Sequence, residues 1–232
     1  VRFLGLTPDG RRRYAADYGL LPPIAGGADP TSDDQVDQSS DDAREYENTH
    51  EMHLALDNQA VESGSVSQRY WLGFRFRNGP FPAQGSTIIV AYLTAWVYMA
   101  SEDDANLRIH AQLVADPPTF ATDDGDITGR ARTDAYTSWV ADSLGVGWRD
   151  SPSLVAPIQE LVNAHTLGSL VLILKPNTDV FKSLRFRMWD YGDHLSAPKL
   201  HLEWTEGPPV GQPAMRRTGG IPGMVYTGRG SW

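Results

Sequence analysis

Apolar and polar positions alternate through most of the middle of the chain, and the longest apolar run, residues 85–100, sets the frame for the rest. It begins after the turn formers Asn78-Gly79-Pro80 and Pro82 and stops at Ser101-Glu102-Asp103-Asp104. Its β-branched and aromatic content predicts one long strand. Ile88, Val90, Tyr92, Trp96 and Tyr98 alternate with Ile89, Ala91, Leu93, Val97 and Met99, so both faces are apolar. Such a strand is expected in the centre of a sheet, with a second sheet over one face and loops or a partner over the other. The run is shorter than the roughly 18 apolar residues of a membrane helix, so no membrane span is expected.

Shorter runs separated by turn residues predict further strands at 43–47, 52–56, 70–76, 107–114, 136–140, 169–175, 184–189 and 199–204. Several show a period of two. Tyr70, Leu72, Phe74 and Phe76 oppose Arg75 and Arg77; Leu107, Ile109, Ala111 and Leu113 oppose Arg108, His110 and Gln112. Leu184, Phe186 and Met188 oppose Arg185 and Arg187, and Leu200, Leu202 and Trp204 oppose Lys199, His201 and Glu203. This is the pattern of an all-β, antiparallel sandwich. One segment breaks it: after Ser151-Pro152-Ser153, the residues Leu154, Val155, Ile158, Leu161 and Val162 recur at helical spacing. A short helix at 154–164 is predicted, with Pro157 in its first turn, closing one open end of the sandwich.

The ends read differently. Residues 1–30 are rich in glycine, proline and arginine with apolar residues scattered singly, and 31–42 are acidic, which predicts an N-terminal arm and linker over residues 1–40. The sandwich is expected over 41–206. Gly207-Pro208-Pro209 and Gly211-Gln212-Pro213 then open a second extended arm over 207–232. Neither arm can bury a face alone, yet they carry Phe3, Tyr14, Tyr18, Arg216, Arg217, Met224, Tyr226 and Trp232, side chains typical of interface anchors. These eight are the expected contacts to neighbouring subunits.

Composition narrows the chemistry. A chain of 232 residues can build a core that needs no staple, and the absence of cysteine removes disulfides and thiolate catalysis. The net charge of −9 argues against a broad nucleic-acid surface. Residues 1–14 are arginine-rich and lack an apolar h-region, so conventional secretion is not expected. His50 and His53 are three apart in a strand-like setting, not four apart on a helix, so they do not form a zinc-protease pair. No Gly-x-Ser-x-Gly elbow or phosphate loop is present, and Asp103, Asp104, Asp123 and Asp124 read as solvated turn residues. No enzyme is expected.

The motifs Tyr70-Trp71-Leu72-Gly73-Phe74-Arg75-Phe76, Phe81-Pro82-Ala83-Gln84-Gly85-Ser86-Thr87-Ile88 and Ala91-Tyr92-Leu93 resemble the DNRLRE-type β-sandwich domains, relatives of carbohydrate-binding modules. Pro157 to Asn163, Leu170 to Pro176, Leu184 to Trp189 and Ala197-Pro198-Lys199-Leu200 continue the resemblance, which spans roughly 41–204 and neither arm. It implies a jelly-roll-like fold of two packed sheets. That sandwich serves in polysaccharide-binding modules, surface adhesins and virion proteins of tailed bacteriophages, and the tail Gly219 to Arg229 resembles the end of a phage structural protein.

Two functions are therefore expected. The first is a virion structural protein, such as a capsid decoration or cement subunit, located in the virion and bound to other virion subunits and to copies of itself. The alternative is a glycan-binding module, for which Trp71, Tyr136, Trp139, Trp148, Trp189 and Tyr191 are available. Trp71 and Trp189 fall on outward positions beside arginines, so Trp71, Trp189 and Tyr191 are the expected sugar platform. No cofactor is expected. A structural calcium ion is the one ion the resemblance implies, on Asp41, Asp42 and Asp190 if the first and last strands are neighbours.

Overall fold

The structure, a computed structural model, describes residues 2–6, 12–15, 29–62, 69–100, 105–141, 144–177 and 183–207. Strands β1 (Arg2–Leu6) and β2 (Arg12–Ala15) pair with each other antiparallel as a two-stranded sheet outside the sandwich. The part of the N-terminal arm expected to be merely extended thus holds a hairpin, whose Phe3 and Tyr14 are Cα partners. Tyr18, Arg216, Arg217, Met224, Tyr226 and Trp232 lie outside the described residues, as does the C-terminal arm beyond Gly207.

The remaining strands are β3 (Thr31–Gln35), β4 (Asp42–Tyr46), β5 (Met52–His53), β6 (Asn58–Glu62), β7 (Tyr70–Phe76), β8 (Thr87–Ala100) and β9 (Ala105–Ala111). They continue with β10 (Thr137–Ala141), β11 (Gly147–Asp150), β12 (Leu170–Pro176), β13 (Ser183–Arg187) and β14 (Lys199–Thr205). One sheet runs β10-β9-β12-β7-β4-β5; the other runs β3-β14-β8-β13-β6, with β11 also paired to β8. All these pairs are antiparallel. The chain is an all-β antiparallel sandwich.

The core between the sheets is what the alternation predicts. Leu72, Phe74 and Phe76 of β7, Leu107 and Ile109 of β9, and Leu172 and Leu174 of β12 meet Leu93 and Val97 of β8, Phe186 of β13, and Leu200, Leu202 and Trp204 of β14. The helix α1 (Val155–Ala164) adds Ile158, Leu161 and Val162. It touches β8 of one sheet and β9 of the other, and so closes the sandwich there. The Gln159 amide ties it down by accepting the Ile88 N–H at 2.8 Å and donating to the Ser86 carbonyl at 3.0 Å.

The acidic linker is not a linker over its whole length. Thr31–Gln35 forms β3, paired to β14, and Val36 is fully buried. The strand left no apolar signature because its inward residues are Ser32 and Asp34. The Asp34 carboxylate accepts the Asn78 and Gly79 N–H groups at 2.8 and 3.2 Å, so its burial is compensated by hydrogen bonds. β6 and β11 are further strands that the pattern does not predict, because Asn58–Glu62 and Gly147–Asp150 have little apolar alternation.

The two sheets are covered differently. The middle of the first sheet is buried on both faces. Its outer side carries Ala43, Met52, Trp71, Val171 and Ile173, packed under Phe120 and Ile127 of the long 112–133 loop. Gly73 makes that closeness possible, because a Cβ there would stand 2.3 Å from Phe120 Cζ. The buried Glu45 carboxylate holds the same loop from below, accepting the Ile127 and Thr128 N–H groups, each at 2.7 Å. Among the described residues, the outer face of β8 is by contrast left partly open.

Candidate functional site: the aromatic outer face of the second sheet

A β-bulge decides which side chains of β8 face outward. Pairing with β14 shifts between Glu203/Trp204 and Val90/Ile88, so Ile88, Ala91, Leu93, Ala95 and Val97 all point inward. Ile89 is left exposed in the bulge, and Tyr92, Trp96 and Tyr98 come out on the opposite face. A strict two-residue period cannot register that extra residue.

Neighbouring strands enlarge this face. Trp148 of β11 is the Cα partner of Trp96, and the two rings meet edge to face at 5.4 Å. His201 of β14 is the partner of Tyr92, stacked at 4.8 Å. Lys199 Nζ lies 4.4 Å from the Trp148 ring centre, and the Arg187 guanidinium lies 4.7 Å from Trp96 and 4.0 Å from Tyr191. Aromatic rings with cations laid against them form a stiff surface, since each contact removes rotamer freedom before any ligand arrives.

Polar groups ring the aromatics. Asp33, Gln35, Thr94, Lys199 and His201 line a cavity of about 260 Å³ beside Tyr92. His201 bridges Asp33 at 2.7 Å and Glu203 at 3.1 Å. Burial works to lower its pKa, but the two carboxylate hydrogen bonds and their charges outweigh it, and the pKa rises above the ordinary histidine value. Thr94 donates to Asp150 at 2.6 Å. Donors and acceptors alternate with ring faces, the combination that a sugar's hydroxyls and C–H face require.

The residues expected to form a sugar platform are dispersed. Trp71 is on an outward position of its strand, but the 112–133 loop covers it and it is 6 % exposed, so it is no platform. Alternation reports the face and is silent about a loop that folds over it. Trp139 belongs to the inter-sheet core. Trp189 is half-buried, stacked on His194 at 4.2 Å, while Tyr191 sits beside Arg187 at the margin of the aromatic face. Tyr136 is exposed on the other sheet. The sequence pattern places Tyr92, Trp96 and Tyr98 on a strand covered by a second sheet on one side and by loops or a partner on the other; among the described residues no loop covers them, which follows from the sheet order.

The aspartates do not fit a calcium ligand set. β4 and β14 lie in different sheets, and it is the turn after β13 that brings Asp190 beside Asp41 and Asp42. Asp41 is fully buried and engaged by Arg75 and Arg77, both at 3.2 Å, and by the Thr119 hydroxyl at 2.7 Å. Asp42 accepts the Trp189 N–H at 2.6 Å, and Asp190 accepts the Ser39 hydroxyl. Burial pushes the Asp42 pKa well up; the Trp189 N–H opposes this, and repulsion from Asp190 and Asp41 adds to it. Burial in that setting disfavours the charged form of Asp42, and the oxygens of Asp41 and Asp42 that accept these hydrogen bonds are already engaged by the protein. Among the described residues, no group of three or more histidine, cysteine or carboxylate side chains is placed to hold a metal ion.

No protein-family model and no curated protein matches this chain.

Proposed function

We propose that this chain is a non-catalytic binding protein whose second sheet takes a carbohydrate on its outer face. The observation that carries this reading is the cluster of Tyr92, Trp96, Tyr98 and Trp148 on one side of β8 and β11, flanked by Asp33, Gln35, Thr94, Lys199 and His201. Rings of that kind stack on the C–H face of a pyranose, and the polar rim pairs with its hydroxyls. The test is a broad glycan array followed by titration of the best binder. Trp148→Ala and Tyr98→Ala are each expected to weaken binding about 30-fold or more, the share of an aromatic hot spot worth about 2 kcal/mol. Trp71→Phe should leave affinity unchanged. Equal affinity in wild type, Trp148→Ala and Tyr98→Ala would overturn the assignment.

A second reading retains the chain as a structural or decoration subunit of a tailed-phage virion, bound to neighbouring subunits and to copies of itself through its arms. It is favoured by the β1–β2 hairpin, which gives the N-terminal arm backbone order outside both sheets. On this reading, deleting residues 207–232, or residues 1–16, abolishes incorporation into the particle while the core unfolds at its usual midpoint. Truncated chains that assemble at wild-type occupancy would dispose of it.

A further inference from the structure

The outer face of the first sheet presents a different chemistry. Arg108 of β9 and Lys175 of β12 are Cα partners in register, and both point away from the inter-sheet core. Like charges directly opposite each other on an antiparallel pair destabilise it. Arg132 joins them, brought in by its bridge to Gln112. Arg108, Lys175 and Arg132 thus line one open cleft of about 470 Å³ with His110 and Tyr136, beside an Arg130 already paired with Asp126, in a protein of net charge −9.

What holds these cations is aromatic. Arg108 lies 4.5 Å from the Tyr136 ring centre, Arg132 4.7 Å and Lys175 5.2 Å from that of Trp71. Ring contacts position a cation without using up its N–H donors. Arg132 spends one nitrogen on the Thr128 carbonyl, at 2.9 Å, and Arg108 Nε has no hydrogen-bond partner. Two of the nearby carboxylates are committed elsewhere. Glu45 holds the 112–133 loop, and Glu47 pairs with Arg69 at 2.7 Å; Asp134 stands exposed on the rim. Glu45 and Glu47 still act on Arg132 and Lys175, yet the excess of positive charge registers on the titratable groups of the cleft. His110 is held below its ordinary pKa by burial first and then by Arg132, Lys175 and Arg108, against the hydrogen bond to the Thr133 carbonyl. Lys175 is likewise lowered, by burial and by Arg108 and Arg132.

We infer that this cleft binds a phosphate group, taken between Arg108, Lys175 and Arg132. A lone carboxylate offsets one of the three charges, whereas free phosphate brings about −1.5 to −2 near neutral pH with at least three acceptor oxygens, and a phosphodiester polymer sets several groups of about −1, each with two free oxygens, side by side. The shared chemistry is the phosphate; its source is free phosphate or a phosphodiester polymer. The cleft is independent of the carbohydrate face, which lies on the other sheet.

The experiment is calorimetric titration of the full chain with inorganic phosphate, alongside histidine NMR. Saturable one-to-one binding is expected, with the His110 pKa rising on saturation because the added anion offsets its cationic neighbours. Lys175→Gln and Arg108→Gln should each weaken binding at least about tenfold, and each should raise the thermal midpoint by removing the like-charge pair. Trp148→Ala should bind phosphate as wild type does, which separates this result from failure of the carbohydrate reading. A poly(glycerol phosphate) arm assigns the source: tighter binding per phosphate than the free ion names the polymer, and weaker binding names the free ion. The inference is overturned by the absence of saturable binding at about 10 mM phosphate, or by unchanged affinity in both variants.

Discussion

Replacing Arg130 by alanine lowers the unfolding free energy by about 3 to 5 kcal/mol, because it breaks a buried charge pair and orphans several acceptors at once. The guanidinium is the hub of the 112–133 loop. It donates to the Asp126 carboxylate at 2.8 Å, to Gln112 at 2.9 Å, and to the Pro118 and Thr119 carbonyls at 2.9 and 3.0 Å, while lying 4.2 Å from the Phe120 ring centre. Lysine cannot reproduce that planar fork, so Arg130→Lys should recover little of the loss. Denaturant titration measures the loss, and exposure of Trp71, read by quenching of its fluorescence, locates it. A change below about 1 kcal/mol would mean that the loop is held by its apolar contacts alone.

Phe74→Ala is expected to cost about 3 to 5 kcal/mol for a different reason, the cavity it leaves between the sheets. Phe74 is fully buried and meets Phe186 of the opposite sheet edge to face at 6.5 Å. Both sheets therefore lose contact at one point, and the rigid surroundings collapse poorly onto it. Urea unfolding should show a lower midpoint with an unchanged slope. A loss below about 1 kcal/mol would place Phe74 on the wrong face of β7.

How far the sequence could be read depended on the kind of signal each element left. β7 was legible because Leu72, Phe74 and Phe76 alternate with arginine and glycine, and α1 because Ile158, Leu161 and Val162 share one helical stripe. β3 was not, since its inward residues are Ser32 and Asp34, and the Asp34 carboxylate is stabilised by hydrogen bonds instead of apolar burial. Trp71 was correctly placed on an outward position, but its covering by Phe120 and Ile127 is a long-range packing event with no local pattern. The aromatic face was hidden for a related reason. The bulge at Ile89 changes which residues of β8 face out, and Tyr92, Trp96 and Tyr98 look like core residues until the sheet order is known. The Arg108–Lys175 pair illustrates the same limit, because outward positions can be read from alternation and cross-strand register cannot.

The claim that the outer face of β8 and β11 is the carbohydrate site is tested most directly by following the tryptophan indole N–H signals while an array-selected oligosaccharide is titrated in. The account predicts saturable shifts at Trp96 and Trp148 with Trp71, Trp139 and Trp204 unmoved, since those three are buried in the loop-covered face and the inter-sheet core. Saturable shifts at Trp71 or Trp189 while Trp96 and Trp148 stay still would contradict it.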